Sequence, residues 1–153
     1  FIQADNFAAE KARDINSVGG LQPDFLAIWN WTNTFINTLK GNETVILDGA
    51  PRMPAELEAL RSAIPFFGYN GATVIYLDVS EAWAVDKLTS RGRDDDKDME
   101  AMNRKMKWFN DLVYPCVEMY EKDSSYKFTR VNGEQTVEQV HAELVQKLEV
   151  LEA

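Results

Sequence analysis

The chain has 153 residues, 45% of them apolar and 27% charged, and 25 acidic against 16 basic side chains give it a net charge of −9. That length suits one domain, no apolar run approaches the roughly 18 residues of a membrane span, and the strong acidity argues against a general nucleic-acid surface. A single cysteine, Cys116, and a single histidine, His141, exclude an internal disulfide framework, a multi-cysteine zinc knot and a multi-histidine metal site. Acidity does not exclude a phosphate site, which needs a few local arginines and not a basic total.

The chain opens on Phe1, and FIQADNFAAEK has neither the long apolar region nor the cleavage-type tail of a signal peptide. Residues 4–18 are rich in Ala, Glu, Lys and Arg and read as a helix stopped by Gly19-Gly20. Asp24 reads as the N-cap of a second helix running to Lys40 and closed by Gly41. Its apolar positions Phe25, Ile28, Trp29, Trp31, Phe35, Ile36 and Leu39 cover a broad face, which predicts a well-buried helix. TVILDG at 44–49 is a short apolar run ending in Asp-Gly, read as a buried strand. Pro54 opens a third helix. ATVIYLDV at 72–79 is β-branched and aromatic on both faces, as a central parallel strand is. Ser80 caps a helix to about Ser90, and 91–98 is a charged loop. A long helix from Asp98 to Lys122 follows, with Pro115 placed to kink it. YKFTRVNG at 126–133 is a third strand, and TVEQVHAELVQKLEVL a closing amphipathic helix. Strands separated by helices predict a parallel α/β sheet with right-handed crossovers.

Each strand ends in a polar or glycine-containing turn, and open parallel sheets bind ligands beyond the carboxyl ends of their strands. In LDGAPR, residues 47–52, Asp48 stands at a strand tip where it could hold a metal-bound water. Arg52 follows outside it, with a guanidinium suited to bidentate phosphate recognition. The bland alternative is a surface turn with a solvated arginine. Lys87 and Arg91 share a helix face. Arg93 lies in the charged loop before Asp94, Asp95 and Asp96, and Arg104 and Lys105 stand on the next helix. Such a group of cations suits the charge of a polyphosphate transition state; the alternative is a solvated charged loop. Trp29, Trp31, Trp83 and Trp108 read as core or core-edge residues, Cys116 as a packed thiol and His141 as solvated.

LDGAPR, VIYLDVSEAWAVDKLTSRGR, the Asp pair, Asn103-Arg104 and VNGEQTVEQV together resemble the adenylate kinase family of nucleoside monophosphate kinases, in family order. GGLQPDFLAI at 19–28 resembles one wall of the family's monophosphate site. The resemblance implies a three-layer P-loop NTPase-like fold, a parallel sheet with helices on both faces. Within it, 1–23 would be the C-terminal part of the monophosphate-binding insertion, 24–90 and 98–153 core, and 91–97 a short lid without structural zinc. It implies transfer of the terminal phosphoryl of ATP to a nucleoside monophosphate, AMP first, with Mg²⁺ as cofactor. Arg52, Arg91, Arg93 and Arg104 are the implied catalytic arginines. Gly20, Leu21, Gln22, Gly49, Arg52, Glu56, Arg93 and Arg104 are the implied acceptor site. Lys87, Arg91 and Gln135 face ATP, and Asp48 organises the water around the metal. The same resemblance implies a cytoplasmic protein, monomeric when complete, with no nucleic-acid or membrane partner.

The chain departs from the family pattern in four places. Ala50 replaces a phenylalanine, and Glu56 stands where a base-reading glutamine is usual. Counting from Asp96 selects Arg104 as the family arginine, whereas counting back from Pro115 selects Lys105; a helical bulge between the two anchors would absorb the difference. No G-x-x-x-x-G-K-[ST] occurs, so the expectation is an N-terminally incomplete kinase that lacks the first, central strand of the sheet and is inactive by itself. The alternatives are a non-catalytic nucleotide-binding or interaction module, and a kinase for a pyrimidine monophosphate, the latter motivated by Ala50 and Glu56.

Overall fold

A computed structural model describes residues 1–91 and 99–152. They form a mixed α/β protein with a small parallel sheet, divided into two compact units, 1–68 and 69–153.

In the first unit, α1 (Phe7–Ser17) begins later than its composition suggests because Asn6 caps it, its Oδ1 accepting from the Ala9 amide at 2.9 Å. Helix α2 (Asp24–Thr38) has Pro23 at its N-cap, so Asp24 is its first helical residue and not the cap. Helix α3 (Pro54–Phe66) starts on proline as expected. Trp31, Phe35 and Leu60 form the buried core, with Ile28, Leu39, Val45, Leu47, Ile64 and Phe67 packed on it. Trp31 and Phe35 meet edge to face at 5.2 Å. Only one side of α2 is buried: Phe25, Trp29 and Ile36 are 69, 45 and 71% exposed. The breadth of its apolar face is therefore not a sign of burial all round, and Trp29 is not a core residue.

In the second unit, β1 (Ala72–Asp78) and β2 (Tyr126–Asn132) run parallel, with Ala72 beside Tyr126 and Asp78 beside Asn132. Between them come α4 (Glu81–Arg91), α5 (Met99–Trp108), a π-helical turn (Phe109–Val113) and α6 (Tyr114–Lys122). The π turn lies between Arg104 and Pro115, where a bulge would absorb the one-residue difference between the two counts. Helix α7 (Val137–Glu152) closes the chain. It opens on a reciprocal cap: Gln139 donates its amide to Thr136 Oγ1 at 3.3 Å, and the Thr136 amide donates to Gln139 Oε1 at 3.1 Å. Val131 is fully buried, and Tyr120 stacks edge-on with Tyr126 at 5.0 Å. Cys116 is a buried thiol and His141 is exposed, as expected.

The three-stranded expectation is corrected. Among the described residues the sheet has two strands, and 44–48 is not one of them. A strand exists only where its backbone N–H and C=O groups meet a ladder partner, and among the described residues no backbone–backbone hydrogen bond involves 44–48. Their side chains still alternate: Val45 and Leu47 enter the core while Ile46 is 87% exposed.

Candidate functional site

The turn after Asp48 is built around one glycine. Gly49 has φ +66°, a conformation that side-chain-bearing residues rarely adopt. Added there, a Cβ would meet Arg52 Nη2 at 2.5 Å. The turn, with a cis Ala50–Pro51 peptide, thus folds the Arg52 side chain back over Gly49, and Arg52 Nε donates to the Gly49 carbonyl. One of the five guanidinium N–H groups is held by this bond.

Glu56 completes the turn from the other side. It is 5% exposed at the third position of α3 and accepts from the backbone amides of Arg52 and Met53, the return half of a helix cap. Burial raises its pKa above the ordinary glutamate value, and the charge of Asp24 adds to the rise. Gly49, Arg52 and Glu56 are therefore one constellation.

Gly20, Leu21 and Gln22 lie against the end of α1. The Gly20 amide donates to Ile15 O at 2.8 Å, and a Cβ on Gly20 would press on Ile15 at 3.0 Å. Gln22 Nε2 donates to Ala12 O at 2.8 Å and to Asn16 Oδ1 at 2.6 Å. Its Oε1 is buried without a hydrogen-bond partner among the described residues, a spare acceptor.

In the second unit the carboxyl ends of β1 and β2 form a cleft of about 360 Å³. It is lined by Asp78, Val79, Ser80, Arg130, Val131, Asn132, Glu134, Glu143 and Lys147. Gly133 fits because a Cβ would strike Val79 Cγ1 at 2.6 Å, and its amide donates to Asp78 O at 2.9 Å. Glu134 Oε1 accepts from the Ser80 amide at 2.5 Å, and the Glu134 amide donates to Asn132 Oδ1 at 2.9 Å. Gln135 Nε2 donates to Asn132 O at 3.0 Å and to Glu143 Oε2 at 2.6 Å, and Glu143 is paired with Lys147 at 2.7 Å. These bonds hold the pKa of Glu134 and Glu143 below the usual carboxylate value, through Ser80 and Lys147 respectively. The side chain of Gln135 is thus committed to the protein, and the 132–135 loop offers backbone.

Arg130, which sequence reading passed over, organises this end of the sheet. It grips Glu121 with Nη2 at 2.8 Å and Nε at 3.2 Å, reaches Asp78 at 3.4 Å and lies 5.2 Å over the Tyr76 ring.

Lys87 lies over the Trp83 ring at 5.3 Å and pairs with Asp86 at 3.5 Å. Arg91 ends α4. Thr89 Oγ1 donates to Val85 O at 2.8 Å and stands 3.5 Å from Met102 Sδ, where α4 meets α5. Arg104 pairs with Glu100 at 3.8 Å. Arg93, Asp95, Asp96 and the remainder of the expected lid lie outside the described residues. Among the described residues no group of three metal-ligating side chains occurs, and no helix is long and apolar enough to cross a membrane.

No family model matches the chain. It is 28% identical over 133 residues to the adenylate kinase of Prochlorococcus marinus, covering 87% of this chain and 71% of that protein. It is 33% identical over 124 residues to that of Campylobacter curvus, covering 78% and 64%. To the adenylate kinase of Oenococcus oeni it is 30% identical over 134 residues, covering 84% and 68%. With likeness of this extent joined to an arginine turn after residues 44–48 and a glycine-stapled loop at the end of a parallel sheet, the chain belongs to the adenylate kinase family.

Proposed function

We propose that the protein serves transfer of the terminal phosphoryl of ATP to a nucleoside monophosphate, with AMP as acceptor. The observation that carries this reading is the Gly49–Arg52 turn, which presents a guanidinium beside a glycine with no side chain to block a phosphate. Phosphoryl transfer asks of a protein chiefly positioning and charge stabilisation, which arginines in a tight turn and on helices supply.

Arg52 holds the acceptor phosphate, and Gly20, Leu21 and Gln22 form a wall beside its base. Glu56 supports Arg52 through the backbone of the turn. Its own oxygens are engaged by the backbone amides of Arg52 and Met53, so it acts on the acceptor through the turn. Lys87, Arg91 and the backbone of 132–135 serve ATP, while Arg91, Arg93 and Arg104 neutralise the transferring group. Asp48 is a single exposed carboxylate, which fits Mg²⁺ held through water and not a closed protein cage. Bound with ATP, the ion would offset phosphate charge.

Calorimetric titration of residues 1–153 with AMP, CMP, UMP and adenosine tests this reading. AMP should bind more tightly than adenosine, and Arg52→Ala should weaken AMP roughly 10- to 150-fold, the worth of one charge-assisted bond to phosphate. Equal affinity for AMP and adenosine would reject it. Turnover is not the readout for these residues alone, since they contain no glycine loop to cradle the donor phosphates.

A further inference from the structure

Helix α4 has a cap whose second half comes from the loop after β2. Ser80 stands at its N-terminus, where Ser80 Oγ accepts from the Trp83 amide at 3.2 Å and Ser80 O from the Ala84 amide at 3.0 Å. In a local capping box the third helical residue returns a side-chain oxygen to the amide of the cap, as Gln139 does for Thr136. In α4 that residue is Trp83, which has no side-chain oxygen. Glu134, 54 residues on, takes its place, its Oε1 accepting from the Ser80 amide at 2.5 Å. The Ser80 hydroxyl also bonds this carboxylate and holds its pKa below the ordinary glutamate value. A negative charge is favoured at this end of a helix.

The loop and the turn before α4 are thus joined twice, by the Gly133 amide on Asp78 O and by the Glu134 carboxylate on Ser80. On its other side the loop is tied to α7, through Gln135 and Glu143. From Ser80 the connection runs on. Trp83, whose amide the cap holds, carries the Lys87 ammonium 5.3 Å over its ring. Direct contacts therefore lead from Glu134 through Ser80 and Trp83 to Lys87.

On the reading that the backbone of 132–135 and Lys87 serve ATP, we propose that Glu134 is a positioning residue for that nucleotide: it fixes the loop against the start of α4 and so sets the spacing between the loop backbone and Lys87. A ligand gripped by two elements gains from their being arranged before it arrives. A loop released from α4 is competent for only part of the time, and the apparent affinity for ATP falls by that fraction. Arg52 and its turn belong to the first unit, so the affinity for AMP is the internal control.

The test is titration of residues 1–153 with ATP, followed at the Gly133 and Gln135 amide resonances. Glu134→Ala should raise the ATP midpoint about 3- to 10-fold, the worth of one hydrogen bond, and leave the AMP midpoint, read at the Gly49 amide, unchanged. Glu134→Gln keeps an acceptor for the Ser80 amide and should fall between alanine and wild type. Should Glu134→Ala fail to fold, Glu134→Asp, one methylene too short for the bond, carries the same expectation. Without nucleotide, the Gly133 amide should exchange with solvent faster in Glu134→Ala, although its own bond is to Asp78 O. An ATP midpoint unchanged in a folded Glu134→Ala, ATP and AMP weakened alike, or unchanged Gly133 exchange would each overturn the proposal and leave the ATP reading standing. ATP that moves neither amide in the wild type would overturn both.

Discussion

Two stretches of this chain run through β-branched residues to Leu-Asp, TVILD at 44–48 and TVIYLD at 73–78, yet they end in different states. Residues 73–78 belong to β1 and share a parallel ladder with β2. Residues 44–48 share one with no described residue and keep only the alternation of their side chains, Val45 and Leu47 inward and Ile46 outward. The tips differ in the same sense. Asp78 is fastened by Arg130, and its carbonyl by the Gly133 amide. Asp48 leads into a turn organised by Arg52. Side-chain pattern fixes which face is buried; a hydrogen-bonded neighbour decides whether the segment is a strand.

The largest expected effect is on amide exchange. Amides that β1 and β2 exchange should open only with much of the fold, roughly 10³-fold or more slower than unprotected ones. Those of 44–48 should exchange close to the unprotected rate, and protection there would erase the comparison. Next come core substitutions. Val131→Asp, at a fully buried position of β2, should cost about 3–5 kcal/mol in a urea titration, whereas Ile46→Asp should stay within about 0.5 kcal/mol.

The two tip glycines sharpen the contrast. Gly133→Ala forces a methyl against Val79 and should destabilise by about 1–3 kcal/mol without weakening AMP. Gly49→Ala meets a left-handed backbone, costs about 1–2 kcal/mol and displaces Arg52. It should therefore weaken AMP as well, which calorimetry beside a melting curve will read.

The smallest effect is one of sign with pH. The Arg130 bond holds Glu121 below the ordinary glutamate value of 4.5, so its contribution is present above that pH and lost as pH falls through the lowered folded value. Burial raises Glu56, so stability is lost as pH rises from 4.5 through its folded value. As pH rises from 4.5, Glu56→Gln should gain stability relative to wild type, and as pH rises toward 4.5 from below, Glu121→Gln should lose it. Shifts of the same sign would contradict the assignment.

Much of this was legible in the sequence. Helix starts were written in Pro54, Ser80 and Thr136, and β1 and β2 in their β-branched runs. The π turn lies between Arg104 and Pro115, where the two counts differ by one residue. What was not legible depends on neighbours. No local signal says whether 44–48 meets a ladder partner, or that Phe25, Trp29 and Ile36 of α2 are left in solvent. Glu56 looked like a group for reading a base, but its oxygens are engaged by the backbone of Arg52 and Met53, a fact of turn geometry. Gln135 is likewise occupied by Asn132 and Glu143. The roles of Asp48 and Arg52 rest on the resemblance of LDGAPR to the family motif.

The central claim is that the Arg52 turn receives an acceptor phosphate, and the most direct measurement is the Arg52 Nε–H resonance of residues 1–153 during titration with AMP and, separately, adenosine. That proton now bonds the Gly49 carbonyl. It should move progressively with AMP and remain still with adenosine, and the AMP response of neighbouring amides should vanish in Arg52→Ala. An Nε–H that ignores AMP at concentrations where other residues respond would contradict the account.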